Sequence, residues 1–345
     1  MTDDREEPRR HPAAFPLDDR RVYDAYVAGR QGAALAAGVR VGLFDRLDRA
    51  PATAPEIAQD LALGLRPVTQ LLRALFAMGF VARDGQAWSL APDAAAYLVR
   101  DRPGSLWGLI DMEVDHFLSP AALVDALQSD DASIYGGADP WETHEADPDK
   151  ARAFTAAMHS VSERPAAGLA EVAPLASSRR LLDVGGGSGA LSIALANAFP
   201  GLHCTIGELS VVCDLAREYA ERAQLADRID TLPLDMFAGL PGGYDAILLS
   251  QILHDWSPAT GRQLLAHAFT ALPSGGRVLI HEKLVDESER GPLANALVHL
   301  DMLVWTQGQQ FTLSELTELL TEAGFCEVEG VATAGYWTLV HAVKP

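Results

Sequence analysis

The chain has 345 residues, of which 48% are hydrophobic and 21% charged, with a formal net charge of −20. This composition belongs to a folded protein, and the length exceeds what one hydrophobic core usually organises, so two domains are expected. The acidic balance argues against nonspecific binding to nucleic acid or to an anionic membrane, leaving a small molecule as the expected partner.

Residues 1–16 are charged and lack the apolar run of a signal peptide, so they read as a disordered tail. No uninterrupted apolar stretch approaches membrane-spanning length. Cys204, Cys213 and Cys326 are too widely spaced for a disulfide framework or a cysteine zinc site, and a reducing cytoplasm is the expected location.

Residues 17–105 form the first expected domain. Alanine, leucine and Gly29, Gly32, Gly38 and Gly42 across residues 22–47 predict close-packed helices. Thr53 precedes Pro55 and Glu56 as a helix cap should, and a second helix is expected over 68–78. The run F-V-A-R-D-G-Q-A-W-S-L then predicts a hairpin around Asp84 and Gly85. Helix, helix and hairpin resemble a winged helix. Its second helix carries no arginine or lysine cluster, so dimerisation is expected of it rather than DNA binding.

Residues 106–173 read as a helical linker lining a substrate cleft, with helices over 106–127 and 150–172 and a loop containing Tyr135, Gly136, Gly137, Pro140 and Trp141 between them. Helical spacing puts Phe154, Met158 and Val161 on one face, with His159 beside it.

Residues 174–345 alternate between strand and helix patterns. Residues 180–190 read R-L-L-D-V-G-G-G-S-G-A: a short apolar strand, a glycine turn and the start of a helix over 191–199. Further strands are expected over 203–206, 229–232, 244–249 and 276–281, helices over 211–223, 258–272, 293–305 and 313–323, and a closing strand pair near 327–332 and 336–343. The fold class is α/β, a doubly wound Rossmann-like domain preceded by the mostly helical one.

A strand, a glycine turn and a helix N-terminus form a nucleotide-type crevice. Glu208 lies about twenty residues past the last glycine, where a carboxylate accepts both hydroxyls of a ribose. Asp183 stands inside the strand, and G-G-G-S-G is not the pyrophosphate-binding spacing, so a single nucleoside without phosphates fits better than a dinucleotide.

Together, L-L-D-V-G-G-G-S-G, Glu208, the L-D-M-F of Leu234 to Phe237, the L-H-D-W of Leu253 to Trp256 and the A-G-F of Ala323 to Phe325 resemble S-adenosylmethionine-dependent O-methyltransferases of the caffeate, acetylserotonin and bacterial polyketide-tailoring type. The resemblance implies that Asp183, Gly185 and Gly187 surround the methionine part of S-adenosylmethionine and that Glu208 holds the ribose. It also implies that Asp235 and Met236 flank the adenine with Phe237 close by, and that Ser250 stands where many relatives have a lysine. His254 matches the catalytic histidine, able to remove a proton from a hydroxyl as the oxygen attacks the methyl carbon. The bland alternative makes His254 the cap of a helix beginning near Trp256.

Glu282 matches the first of two glutamates that orient this histidine in relatives. Where acetylserotonin-type enzymes read G-Q-E-R-T, this chain reads G-Q-Q-F-T, so Gln310 replaces the second glutamate and Phe311 the arginine. One negative charge near the histidine is lost, which weakens its basicity. Met158, His299, Trp305 and Gln310 are expected on the substrate side, and Trp107, Phe117 and Phe311 also suggest an apolar pocket.

Two alternatives accompany this reading. His254, Asp255 and His299 form a candidate set for a divalent metal that would hold a 2-oxo acid and present its enolate carbon to the methyl donor, resembling metal-dependent 2-oxo acid C-methyltransferases. The other is a non-catalytic ligand-binding or DNA-binding regulator. The main expectation is a cytoplasmic homodimer, joined through its N-terminal domain, that O-methylates a small natural-product-type molecule.

Overall fold

The computed structural model describes residues 18–113, 119–132 and 139–345. The expected tail, Phe117, Tyr135, Gly136 and Gly137 lie outside the described residues.

The chain opens with α1 (Arg20–Arg40) and α2 (Leu43–Arg49), broken at Gly42, whose φ of +72° is left-handed. Close packing, expected across this stretch, begins only at its end. Val22, Tyr23 and Tyr26 are 75%, 60% and 63% exposed, and a Cβ at Gly29 or Gly32 would meet nothing within 4 Å. At Gly38 a Cβ would stand 2.8 Å from Phe44, so this glycine alone among the three in α1 lets side chains close on the helix.

Next come β1 (Ala52–Thr53), α3 (Ala54–Asp60), α4 (Leu65–Ala77), β2 (Val81–Asp84), β3 (Ala87–Leu90) and α5 (Pro92–Tyr97). Thr53 caps α3 through a full capping box with Glu56. The hairpin forms at Gly85, and the short β1, absent from the sequence reading, adds to it in the order β1-β3-β2. Val39, Phe44, Ile57, Leu72, Leu75 and Trp88 fill this unit's own core.

The expected single helix over 106–127 is instead α6 (Trp107–Glu113) and α7 (Pro120–Ser129), the second starting afresh because Ser119 accepts the Ala122 amide and Pro120 fits the first turn. After α8 (Pro140–Ala146), α9 (Pro148–Val172) runs 25 residues and accommodates Pro165.

The remaining elements are β4 (Arg180–Val184), α10 (Ala190–Ala198), β5 (His203–Glu208), α11 (Ser210–Arg222), β6 (Ile229–Pro233), β7 (Ala246–Ser250), α12 (Pro258–Ala271), β8 (Arg277–Glu282), α13 (Leu293–Trp305), α14 (Leu313–Glu322), β9 (Cys326–Ala332) and β10 (Thr338–Val343). The sheet order is β6-β5-β4-β7-β8-β10-β9, with β4 to β8 parallel and β10 antiparallel to both neighbours. The expected strand over 244–249 begins at Ala246; Tyr244, just before it, is buried in the core that holds Leu264 and Leu265 of α12.

The continuous apolar strands are explained by cover on both faces. In β4, Leu181 packs toward Leu195, Cys204 and Ala216, whereas Leu182 and Val184 pack toward Leu264, Leu316 and Val340. Asp183 shares the face of Leu181 and reaches Ser192 on α10. The carboxyl ends of the parallel strands therefore bring Asp183, Glu208, Pro233, Ser250 and Glu282 to one edge of the sheet.

Candidate active site

A cavity of about 940 Å³ opens at that edge, between the strand ends on one side and α8, α9 and α13 on the other. It lies where strand order reverses between β4 and β7, the position at which open α/β sheets bind ligands.

Glycine makes the strand-end half possible. Gly187 has φ of +55°, its absent Cβ would face open space, and its N–H donates to Glu208 Oε1 at 3.2 Å. Leu209 N donates to the other oxygen of Glu208 at 2.6 Å. Burial raises the Glu208 pKa against these two donors. Asp183 accepts from Ser192 Oγ at 2.7 Å, and burial pushes it up to about 7. On the other wall, Asp235 Oδ1 accepts the Phe237 amide at 2.9 Å, the Met236 carbonyl accepts from His267 Nδ1 at 3.1 Å, and Phe237 meets Trp256 edge-on at 4.8 Å. Ser250 borders the cavity while its hydroxyl lies 3.3 Å from the His281 carbonyl.

Charge states what this half accepts. Asp183, Glu208, Asp235, Asp255 and Asp301 line the cavity, and Lys283 is the only lysine or arginine among the described lining residues. A polyphosphate finds no clamp there, whereas a nucleoside carrying a sulfonium and an ammonium meets carboxyl groups of opposite charge.

The other half is aromatic. Phe154 stacks on Trp305 at 5.8 Å, the His144 ring lies 4.6 Å from Phe154, and Trp141 meets Phe154 edge-on at 6.1 Å. Met158 and Met302 complete this chamber. Sequence reasoning missed Trp141 and His144, although Asp139 and Pro140, which cap and start α8, were a signal for the helix that carries them.

His254 joins the halves from a short 3-10 turn, Leu253–Asp255, beyond β7. It does not cap a helix, because α12 begins at Pro258 and is capped by Ser257. Its Nδ1 lies 3.3 Å from Glu282 Oε2 and 2.8 Å from Gln310 Nε2, and its Nε2 lies 3.6 Å from Asp255 Oδ1. Burial first, then the charge of Lys283, pushes the imidazole down to about 3, so it is neutral at ordinary pH. Burial likewise pushes Asp255 and Glu282 up to about 8.

Several expected substrate residues stand elsewhere. Gln310 does not line the cavity but backs His254 from behind, and His299 is turned from the cavity, its Nδ1 3.2 Å from the Gln310 carbonyl. His254, Asp255 and His299 therefore do not converge. No group of three or more His, Cys, Asp or Glu among the described residues is arranged to hold a metal ion. Trp107 packs on the N-terminal core with Nε1 donating to the Val39 carbonyl at 3.3 Å, and Phe311 is buried beside Leu316, so neither borders the pocket.

Residues 121–326 match the O-methyltransferase domain family, and residues 28–100 match the O-methyltransferase dimerisation domain. The chain belongs to the O-methyltransferase family. It is 40% identical to 3-hydroxy-5-methyl-1-naphthoate 3-O-methyltransferase of Streptomyces sahachiroi, across 90% of this chain and 91% of that one. The structure of PigF with SAH superposes with a TM-score of 0.82 at 31% identity, covering 95% of this chain and 100% of the other; PigF is an S-adenosyl-L-methionine-dependent methyl transferase of Serratia. Human N-acetylserotonin methyltransferase in complex with SAM shares the fold, with a TM-score of 0.86 at 23% identity over 97% and 99% of the two chains. This O-methyltransferase is thus a methyltransferase that uses S-adenosylmethionine as its methyl donor, and the acidic, phosphate-averse strand edge fits that cofactor.

Proposed function

We propose that this enzyme methylates a hydroxyl on a flat, largely aromatic small molecule of the natural-product type, with His254 as general base. The observation that carries the reading is that His254 borders the aromatic chamber on one side and backs onto Glu282 and Gln310 on the other. S-adenosylmethionine supplies an electrophilic methyl whose sulfur leaves as a neutral thioether. Glu208 holds the ribose hydroxyls, Asp183, Gly185 and Gly187 surround the methionine part, and Asp235, Met236 and Phe237 bound the adenine. Trp141, Phe154 and Trp305, packed on one another, form the aromatic wall against which the acceptor ring lies, which excludes water and aligns the attacking oxygen. Neutral His254 takes the hydroxyl proton on Nε2 as the oxygen–carbon bond forms, and Glu282, ionised above its raised value of about 8, stabilises the resulting imidazolium.

The similarity to a naphthoate O-methyltransferase supports a bicyclic aromatic acceptor. The chain works as a homodimer through residues 17–105, supported by the dimerisation family match and by the exposed Val22, Tyr23 and Tyr26 of α1. Residues 106–173 form the cleft-lining linker and 174–345 the catalytic domain. The cysteines of the described residues are all free, and no described helix is long and apolar enough to cross a membrane. Incubating the purified protein with S-adenosylmethionine and a panel of hydroxynaphthoates tests the reading: a methyl ether and S-adenosylhomocysteine in equal amounts are expected, and their absence across hydroxylated aromatics contradicts it.

A further inference from the structure

Two buried oxygens without a hydrogen-bond partner, Gln310 Oε1 and Glu282 Oε2, flank one imidazole. Gln310 is 1% exposed, and its amide nitrogen, 2.8 Å from His254 Nδ1, would donate to that atom and force the ring proton onto Nε2. Both orphan oxygens would then stay orphaned, and Nε2 would have no lone pair for a substrate proton. A carboxamide has the same shape when its oxygen and nitrogen exchange places, and the hydrogen-bond network decides between them. Turned over, Gln310 brings its oxygen to Nδ1, and a single Nδ1–H serves both Gln310 and Glu282.

We propose that Gln310 is a positioning residue whose carboxamide oxygen accepts from His254 Nδ1–H, fixing the tautomer that presents the Nε2 lone pair to the acceptor and restricting the enzyme to acidic hydroxyls. This inference rests on the proposed role of His254 as base. A second contact holds the same turn: a Cβ at Gly308 would overlap the His254 carbonyl, so the 306–311 loop presses on both the backbone and the ring of His254.

The restriction follows from charge. The groups around His254 are Glu282 and Lys283 from β8 and the residue after it, Asp255 on its own turn, and Gln310, whose carbonyl meets His299 of α13, while Asp301 of α13 lines the same cavity. Glu282 is the one carboxyl at Nδ1, and Gln310 adds direction without charge. The imidazolium left by proton transfer is therefore weakly stabilised, and the base works on hydroxyls whose oxyanions are themselves stabilised by conjugation, such as phenols and naphthols carrying an acyl or carboxyl group.

The test uses the full chain saturated with S-adenosylhomocysteine and labelled with ¹⁵N-histidine. The wild type is expected to show protonated Nδ1 and unprotonated Nε2 for His254, assigned with H254Q. In Gln310→Leu, where only the longer 3.3 Å contact with Glu282 is left at Nδ1, the two nitrogens should move part of the way toward an averaged tautomer mixture. In the isosteric Gln310→Glu the tautomer should persist while the acid limb of kcat/KM rises by about one pH unit or more. Across ring-substituted 2-naphthols, log kcat/KM of the wild type should fall as naphthol pKa rises, and less steeply for Gln310→Glu. A protonated Nε2 in the wild type, or wild-type shifts in Gln310→Leu, overturns the positioning role, and equal slopes overturn the restriction. If neither protein methylates any naphthol, the restriction falls with the proposed function, while the nitrogen shifts still decide the role of Gln310.

Discussion

His159 on α9 meets Ser188 of the glycine loop, Nδ1 to Oγ, at 2.7 Å, with its ring stacked on Tyr219 of α11 at 4.0 Å. The helix that borders the aromatic chamber thereby also fixes the glycine loop that lines the cavity. Arg152 of α9 and Glu218 of α11 add a two-pronged ion pair at 2.9 and 3.0 Å across the same junction. Removing the His159 ring should loosen the loop without unfolding the domain. His159→Ala is expected to weaken S-adenosylhomocysteine binding by about tenfold, the size of one hydrogen bond of about 1 kcal/mol plus lost stacking, in a calorimetric titration. Unchanged affinity would place the loop's rigidity elsewhere.

The imidazole of His159 is held down to about 4, by burial and then by Arg222. Its folded value lies below the ordinary one, so its contribution to stability is present above about pH 6.5 and is lost as pH falls toward 4. Thermal unfolding of the wild type between pH 7 and 4.5 should lose more stability than that of His159→Phe, which keeps an aromatic ring but cannot titrate. Parallel curves contradict this.

Asp183 carries the opposite sign. Burial raises it to about 7, so in the free protein it holds a proton in mildly acidic solution, and an adjacent sulfonium favours the carboxylate. Binding of S-adenosylmethionine at pH 6 should release protons, read from the dependence of binding enthalpy on buffer ionisation enthalpy. The neutral thioether product should release fewer, and Asp183→Asn should abolish the difference. Equal release by both ligands contradicts the placement of the sulfonium beside Asp183.

The arrangement of His254, Asp255 and His299 bears on metal chemistry. With His299 turned to the Gln310 carbonyl, turnover should be unaffected by dialysis against a chelator. Loss of activity restored by a divalent cation would revive the carbon-methylation reading.

Local signals were legible where one element carried them. Thr53, Pro55 and Glu56 announced a capped helix, and the apolar runs over 181–184 and 203–206 announced parallel strands, whose carboxyl ends meet the cavity. Side-chain aim was not legible. His299 read in sequence as a partner of His254, yet the rotation of α13 turns it to a backbone carbonyl while Val298, Asp301 and Met302 face the cavity. Gln310 was legible as an oddity, but its place behind the histidine depends on a loop that crosses from α13 to α14. Trp107 and Phe311 were aromatic and apolar, which is as true of a core as of a pocket, and composition cannot separate the two.

The most direct measurement is of His254→Gln, a variant that fills the same space without a base. The account predicts that methyl transfer to a hydroxynaphthoate falls by about 10²- to 10⁴-fold while S-adenosylhomocysteine affinity stays within about threefold of the wild type. Methyl transfer retained at near wild-type rate by this variant would contradict the assignment of His254 as the base.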